Sequence, residues 1–467
     1  MVFSSFIFLC FFLPVILLLY YLIPNNNFKN AILIIASLFF YAYGEPVYII
    51  LLIASVIMNY VFGILLSKKK SKLILTISVL LNIGLLVVFK YLGLIISTIN
   101  GILPGDYLPV VSIALPIGIS FYTFQALSYV IDVYRGDVKA QTNFFKLLLY
   151  ISFFPQLIAG PIVKYHDISE QITNRIHSSQ KVKEGIYRFT TGLTKKILIS
   201  NEVAKVTDSL YALSNSQFDV LSAWLAAFTY LMQIYFDFSG YSDMAIGLGK
   251  MFGFDFLENF NYPYMAKNIQ DFWRRWHISL STWFKEYLYI PLGGNRKGTL
   301  RTYINKYIVF AATGIWHGAN WTFLVWGLYH GTFLVLEGLF ARFKLKDRFK
   351  FLNKISFLSF IPTIIIVMVG FVIFRADTLL QGLSVIKAMI GFGASINIAN
   401  SIMYLTPYYI FIYVLAAFFA TNVSRKLFMK IQGKSEVIKM ILSFVGLILC
   451  FMSLASDSYN PFIYFRF

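Results

Sequence analysis

One feature constrains this chain more than any other: apolar runs of about bilayer length follow one another along it. They include Ser5 to Ile23, Pro46 to Leu66, Leu73 to Phe89, Val220 to Phe238, Ile355 to Phe374, Tyr404 to Val423 and Ile438 to Leu454, with shorter or polar-broken apolar stretches between. Lipid offers no partner to backbone N–H and C=O groups, so a spanning segment must satisfy them itself, as a helix or in a closed barrel. Strand-type alternation is weak here, which argues against a barrel. A helix needs roughly 20 apolar residues to cross, and by that rule the chain crosses roughly ten to twelve times. Only 13% of its 467 residues are charged, against about 25% in soluble proteins. The expectation is an all-α polytopic membrane protein forming a single domain, residues 1–467.

Charge orients that expectation. Forty Lys and Arg against 21 Asp and Glu give a net charge of +19. In this setting basic residues mark cytoplasmic loops and meet anionic headgroups. No basic, aromatic-interleaved soluble segment is present, so nucleic acid is not an expected partner; the lipid bilayer is. "SKKKSK" (Ser67 to Lys72) belongs inside, and counting back three spans puts the N-terminus outside. "RGDVK" from Arg135, "RRWH" from Arg274, "GGNRKG" from Gly293, "ARFKLKDRFKFLNK" from Ala341 and "SRKLFMK" from Ser424 are further candidates for the inner face. Residues 163–200 form the most polar stretch and read as short helices on the membrane surface. Ser5 to Ile23 lacks a preceding basic residue and a small-residue cleavage site, so it reads as a retained span and not a secretory signal. Cys10 and Cys450 lie in apolar runs and give no metal spacing and no disulfide framework.

Some segments fit poorly as plain spans. "LPIGISFYTFQALSYVIDVYRG" (Leu115 to Gly136) and "FFPQLIAGPI" (Phe153 to Ile162) carry Pro, Gly and Gln among apolar residues. Broken backbone at membrane depth is tolerated only where protein or a water-filled cavity shields it, which suggests re-entrant pieces. "GIWHGANW" (Gly314 to Trp321) puts a histidine in a similar place. Basic residues flank it on both sides: Arg296, Lys297, Arg301 and Lys306 before, Arg342, Lys344, Lys346 and Arg348 after. If both flanks are inside, the ascending piece from Tyr307 to Trp316 is about 15 Å long as a helix, half of a core about 30 Å thick. His317 then sits at the apex of a helical hairpin within the membrane. An ionisable group there is costly and usually functional, although a neutral histidine can also serve as a hydrogen bond between helices. Burial lowers a histidine pKa, and the neutral imidazole can accept a proton as a general base.

Two further constellations stand out. "QDFWRRWHISLSTWFKEYLYIPLGGNRKG" (Gln270 to Gly298) interleaves Phe272, Trp276, Leu280, Trp283 and Tyr287 with Arg274, Arg275, Lys285 and Glu286. That spacing is helical and amphipathic, so residues 270–300 read as a segment at the cytoplasmic interface, with His277 at the start of its more apolar half. Arg274 and Arg275 serve either as positive-inside anchors or, with Arg296 and Lys297, as holders of an anionic donor's phosphates. In "QIYFDFSGYSDMAIGLGKMFGF" (Gln233 to Phe254), Asp237 and Asp243 could pair with arginines or line a polar cavity, but polar glue between helices is the favoured reading, with Gly240, Gly247 and Gly249 as sites of close helix contact or a kink. His166 and His177 fall in the polar segment and read as solvated; His330 lies too far from His317 for a zinc pair on one helix face. With no HExxH or Cys/His cluster, no metal site is expected. GxSxG, Walker A and GxGxxG are absent in a fitting context.

Taken together, these segments and the terminal "YNPFIYFRF" resemble the membrane-bound O-acyltransferase (MBOAT) family over nearly the whole chain, most of all its bacterial alginate O-acetylation branch. The resemblance implies a polytopic helical bundle around a funnel or tunnel in the bacterial cell membrane. It puts the family's catalytic histidine on His317 and its second hallmark histidine on His277. It further implies acetyl groups taken from cytoplasmic acetyl-CoA, with no bound cofactor, and passed outward to an exopolysaccharide, with an extracellular SGNH-hydrolase-type partner. On that reading Arg274, Arg275 and Arg296 meet the donor's phosphates. Asn320, Trp316 and His277 are candidates to orient His317 or donate to the oxyanion. A related branch moves D-alanine from a carrier-protein thioester to teichoic acid. The rival reading from the residues alone is a transporter or polysaccharide-export channel, since broken helices with buried polar groups serve transport as well.

Overall fold

A computed structural model describes residues 1–103, 108–109, 113–343, 360–432, 436–456 and 459–463. Lys344, Lys346, Arg348, the start of the Ile355 run and the last four residues of "YNPFIYFRF" lie outside the described residues. Every regular element among the described residues is helical. Among the described residues, four helices are long and apolar enough to cross a membrane: Ile49–Lys68, Lys72–Ile102, Trp321–Arg342 and Glu436–Ser456. Shorter apolar helices are Phe8–Leu22, Phe360–Arg375, Leu379–Met389 and Pro407–Phe419. Each apolar run named above therefore becomes a helix, but some are trimmed by breaks. The run from Val220 goes further than its apolar part, into a 32-residue helix, Val220–Met251. From Thr229 to Gly249 every residue of it is buried, and the two acids in that stretch, Asp237 and Asp243, are each paired with a base.

The chain divides into two compact units, residues 1–192 with 241–258, and residues 193–240 with 259–467. In the first, Phe3, Phe8, Phe12, Phe40, Phe154 and Tyr241 build an aromatic core, with Phe3 stacked on Tyr241 at 4.6 Å. Asn59 and Asn82 exchange amide hydrogen bonds of 3.1 and 2.9 Å between two long apolar helices, the polar glue expected where water is absent. The broken pieces are shielded by protein. Ile119–Arg135 starts at Gly118, whose φ of +77° and the carbonyl of Leu157, 2.7 Å from where a Cβ would sit, leave room for glycine only. Around it, residues 153–163 are buried throughout.

Polar pairs in this unit follow the same logic. Asp243 accepts from Arg188 at 2.8 Å, and Glu258 joins the same guanidinium, so Asp243 above all holds Arg188 in its charged form. Gly247 packs so closely that an added Cβ would lie 2.6 Å from the Gly185 carbonyl. His177 is not the solvated residue its polar neighbourhood suggests. Its Nε2 is 2.8 Å from the Tyr20 hydroxyl, half-buried beside Arg175. His166 does sit among carboxylates, 3.0 Å from Asp167 and 3.5 Å from Asp132.

The second unit is packed around the first part of the long helix, through Ala223, Ala227, Leu231 and Phe236, with Phe272, Trp276, Trp326, Val367 and Phe371. Asp237 pairs with Lys196 at 2.8 Å, both side chains 3% exposed or less. The same pair also holds residues 461–463: Asp237 Oδ2 accepts the Ile463 amide at 2.7 Å and Lys196 donates to the Pro461 carbonyl.

Candidate active site

His317 is the last residue of the helix Thr299–His317, and Trp321–Arg342 folds back against it as a hairpin. Glycines make the hairpin tight. A Cβ on Gly314 would meet the Phe323 carbonyl oxygen at 2.3 Å, and one on Gly327 would meet that of Phe310 at 2.2 Å. At the turn Asn320 caps the second helix, its side chain accepting from the Thr322 amide at 3.1 Å and donating to the Asp377 carbonyl at 3.0 Å. Both ends of that amide have partners other than His317. The hairpin apex is where the sequence puts it, but the ascending helix is longer than expected. It starts at Thr299 and runs 19 residues, about 28 Å at 1.5 Å per residue. Arg301 and Lys306, read as flank, lie inside it, and Lys306 is accommodated by donating to the Leu334 carbonyl at 3.0 Å. The depth argument from a short ascent therefore does not hold. The burial of His317, 6% exposed, does.

Three aromatic rings meet His317 edge-on: Trp316 at 5.0 Å, Trp326 at 5.1 Å and Phe374 at 5.2 Å between centroids. Beside it lies a small apolar cavity lined also by Ile234, Phe238, Trp276, Phe371 and Ile463. It has room for about one water-sized group.

His277 sits at a break, not within a continuous amphipathic helix. The stretch forms two short helices, Ile269–Arg275 and Ile278–Phe284, then a π-helical turn, Lys285–Tyr289. Its aromatic and apolar stripe is buried in protein, with Phe272 1%, Trp276 2% and Leu280 1% exposed. At the break His277 has φ +43°, a left-handed conformation that costs a non-glycine residue energy and is often held at functional sites. The surroundings that hold it come from Asn259. Its carbonyl accepts from Ile278 N at 2.9 Å, and its Oδ1 accepts from Ser279 N at 3.1 Å and Ser279 Oγ at 2.9 Å. The same Oδ1 is 3.3 Å from His277 Nδ1. An oxygen that already accepts from an N–H assigns the proton to Nδ1, which makes Nε2 the basic nitrogen. Phe238 lies edge-on to His277 at 4.6 Å and also lines the cavity of His317; the Trp316 ring is 6.0 Å from His277. The two histidines thus share one aromatic neighbourhood, with Trp316 beside both.

The arginines are less gathered. Arg274 is exposed at the end of Ile269–Arg275, Arg275 pairs with Asp271 at 2.9 Å, and Arg296 is exposed in the glycine turn of residues 293–298. Sequence reasoning missed three residues. Asn259 reads only as turn sequence in "NFNYPY". Glu337 caps Ile269–Arg275 by accepting from the amides of Ile269 and Gln270 at 2.5 and 3.1 Å. His330 is fully buried between Trp273 and Trp326, each 5.2 Å away, so Trp326 touches both His317 and His330. Its i to i+9 relation to the turn at Trp321 gives no periodic signal.

Bilayer-length apolar helices, with no other kind of regular element among the described residues, make this an integral membrane protein, and it buries His317 against a small apolar cavity. The profile of the MBOAT, membrane-bound O-acyltransferase family matches residues 138–376, which take in both histidines, and the chain belongs to that family. Among its relatives is the "Probable alginate O-acetylase AlgI" of Pseudomonas putida, 38% identical over 494 residues, 100% of each chain. The "Peptidoglycan O-acetyltransferase" of Helicobacter pylori is 34% identical over 94% of this chain and 92% of its own. The "Teichoic acid D-alanyltransferase" of Bacillus subtilis is 29% identical over 55% of this chain and 68% of its own. The protein is a membrane O-acyltransferase.

Proposed function

We propose that this protein takes acetyl groups from acetyl-CoA on the cytoplasmic side of a bacterial cell membrane and passes them outward, for O-acetylation of an extracellular polysaccharide. An extracellular SGNH-type protein is the proposed partner. The single observation that carries the reading is His317, a nearly buried imidazole at a hairpin apex beside a cavity of about acetyl-methyl size. Two relatives named as O-acetyl-transferring enzymes, matched over 94% or more of this chain, support acetyl as the group moved.

In the proposed step His317 accepts the proton of an acceptor hydroxyl. The hydroxyl oxygen forms a bond to the thioester carbonyl carbon, the C–S bond breaks, and the proton moves from the imidazolium to the departing thiolate. General-base help of this kind is worth about 10²–10⁴-fold, and holding both reactants in place supplies several kcal/mol more. His277, its tautomer set by Asn259, is the proposed orienting or oxyanion-side partner. Asn320 keeps the turn in shape as a helix cap, and Trp316 positions both imidazoles. Arg274 and Arg296, both exposed, are the proposed contacts for donor phosphates, with Arg275 held back by Asp271.

The test is a purified, reconstituted protein given acetyl-CoA labelled in the acetyl group. Release of free CoA with label moved to an added saccharide or to water is expected. Label that crosses vesicles with the thioester intact would replace this reading with a transporter.

A further inference from the structure

The chain's last described residues are held more firmly than a surface tail requires. Between Tyr459 and Ile463, the anchors are polar. The Tyr459 hydroxyl donates to Asp208 at 2.5 Å, and Asn201 donates to the Tyr459 carbonyl at 3.3 Å. Lys196 donates to the Pro461 carbonyl, and Asp237 receives the Ile463 amide at 2.7 Å. Two of these anchors are the buried Lys196–Asp237 ion pair itself. Taking two charges out of water is expensive, so a pair spent on five residues of tail implies that their position matters. What the anchors place is the Ile463 side chain, 5% exposed, in the wall of the His317 cavity.

We infer that Ile463 is a specificity-determining residue: carried by the anchored C-terminal segment, it closes the cavity beside His317 so that the site takes an acetyl group and turns away longer acyl chains. The inference rests on the proposed role of that cavity in acyl transfer. Room for about one water-sized group is close to that of a methyl, so a longer acyl chain would have to displace a wall. A β-branched side chain such as Ile463 is stiff at χ1 and makes a wall that does not swing aside. Ile234, Phe238, Trp326, Phe371 and Phe374 belong to packed helices, and Trp276 to the break beside His277. Ile463 comes instead from the segment that the Lys196–Asp237 pair pins. A tight apolar pocket separates acyl groups differing by one methylene by about 10–200-fold.

The experiment uses the full-length protein in lipid nanodiscs with acetyl-, propionyl- and butyryl-CoA, reading thiol release for each. Wild-type protein should favour acetyl over propionyl by at least about tenfold. Ile463→Ala should raise the propionyl-to-acetyl ratio by about tenfold, and Ile463→Val by less. A ratio unchanged in a variant that still turns over either thioester overturns the inference, as does wild-type protein that handles both alike. If Ile463→Ala is inactive, the ratio for Ile463→Val decides. Wild-type protein that cleaves no thioester would sink the proposed function instead, a result distinct from either of these.

Discussion

Adding one methyl group to Gly314 tests how the hairpin positions His317. The new Cβ would lie 2.3 Å from the Phe323 carbonyl oxygen, 3.1 Å from its carbon and 3.2 Å from the Leu324 Cα. All three are backbone atoms, so no side chain can swing away. Ordinary contact begins near 3.4 Å, and the two helices must part by about 1 Å to reach it. Overpacking of this order costs about 1–3 kcal/mol, set against a helix-propensity gain of up to about 1 kcal/mol for alanine over glycine. His317 follows less than one turn later on the same helix, and a displacement of about 1 Å at a reacting group can cost roughly 100-fold in rate. Gly314→Ala should therefore show a modest loss of thermal stability in detergent and a disproportionate loss of thioester turnover. Gly84→Ala, with nothing within 4 Å of its new Cβ, is the control and should lose neither. A Gly314→Ala protein with wild-type melting temperature and wild-type turnover would refute the claim that backbone contact at this hairpin sets the histidine.

Two further outcomes follow from buried charge and from titration. Asp237→Asn leaves the Lys196 ammonium buried without its carboxylate and should cost about 3–5 kcal/mol, read as a drop in melting temperature; replacing both partners with Met and Leu should restore most of it, and equal melting of all three proteins would show that the pair contributes nothing. His177 is pushed down from 6.5 to about 4, by burial first and then by Lys29, Arg175 and Lys181. The unfolded chain therefore binds the proton more readily between these values, so stability should fall as pH drops from 6.5 toward 4. His177→Gln should flatten that part of the stability profile, and an unchanged profile would count against the assignment.

The helical, membrane-bound class was legible because it rests on run length and composition, which need no tertiary knowledge. The hairpin at "HGAN" was legible too, since Gly318 and Asn320 are turn residues between apolar flanks, and Asn320 does cap the second helix. The length of its ascending helix was not legible, because Arg301 and Lys306 look like loop. A long lysine stem can lie along a helix while its ammonium finds a carbonyl, so charge does not mark a helix end by itself. The stretch around His277 misled for a different reason. Its aromatic spacing is helical over most of its length, but Asn259, distant by 18 residues, imposes a left-handed break at the histidine. Tertiary hydrogen bonds of that kind leave no periodic trace. Nor could the pairings Asp237–Lys196 and Asp243–Arg188 be named from sequence, although the acidic residues were rightly read as glue.

The central claim is that His317 is the proton acceptor in acyl transfer, and its most direct measurement is turnover of acetyl thioester by His317→Ala protein. The comparison is with wild-type protein at equal folded amount, checked by melting temperature. The account predicts a loss of about 10²–10⁴-fold with little change in melting. A folded His317→Ala protein that moves acetyl at the wild-type rate would contradict it.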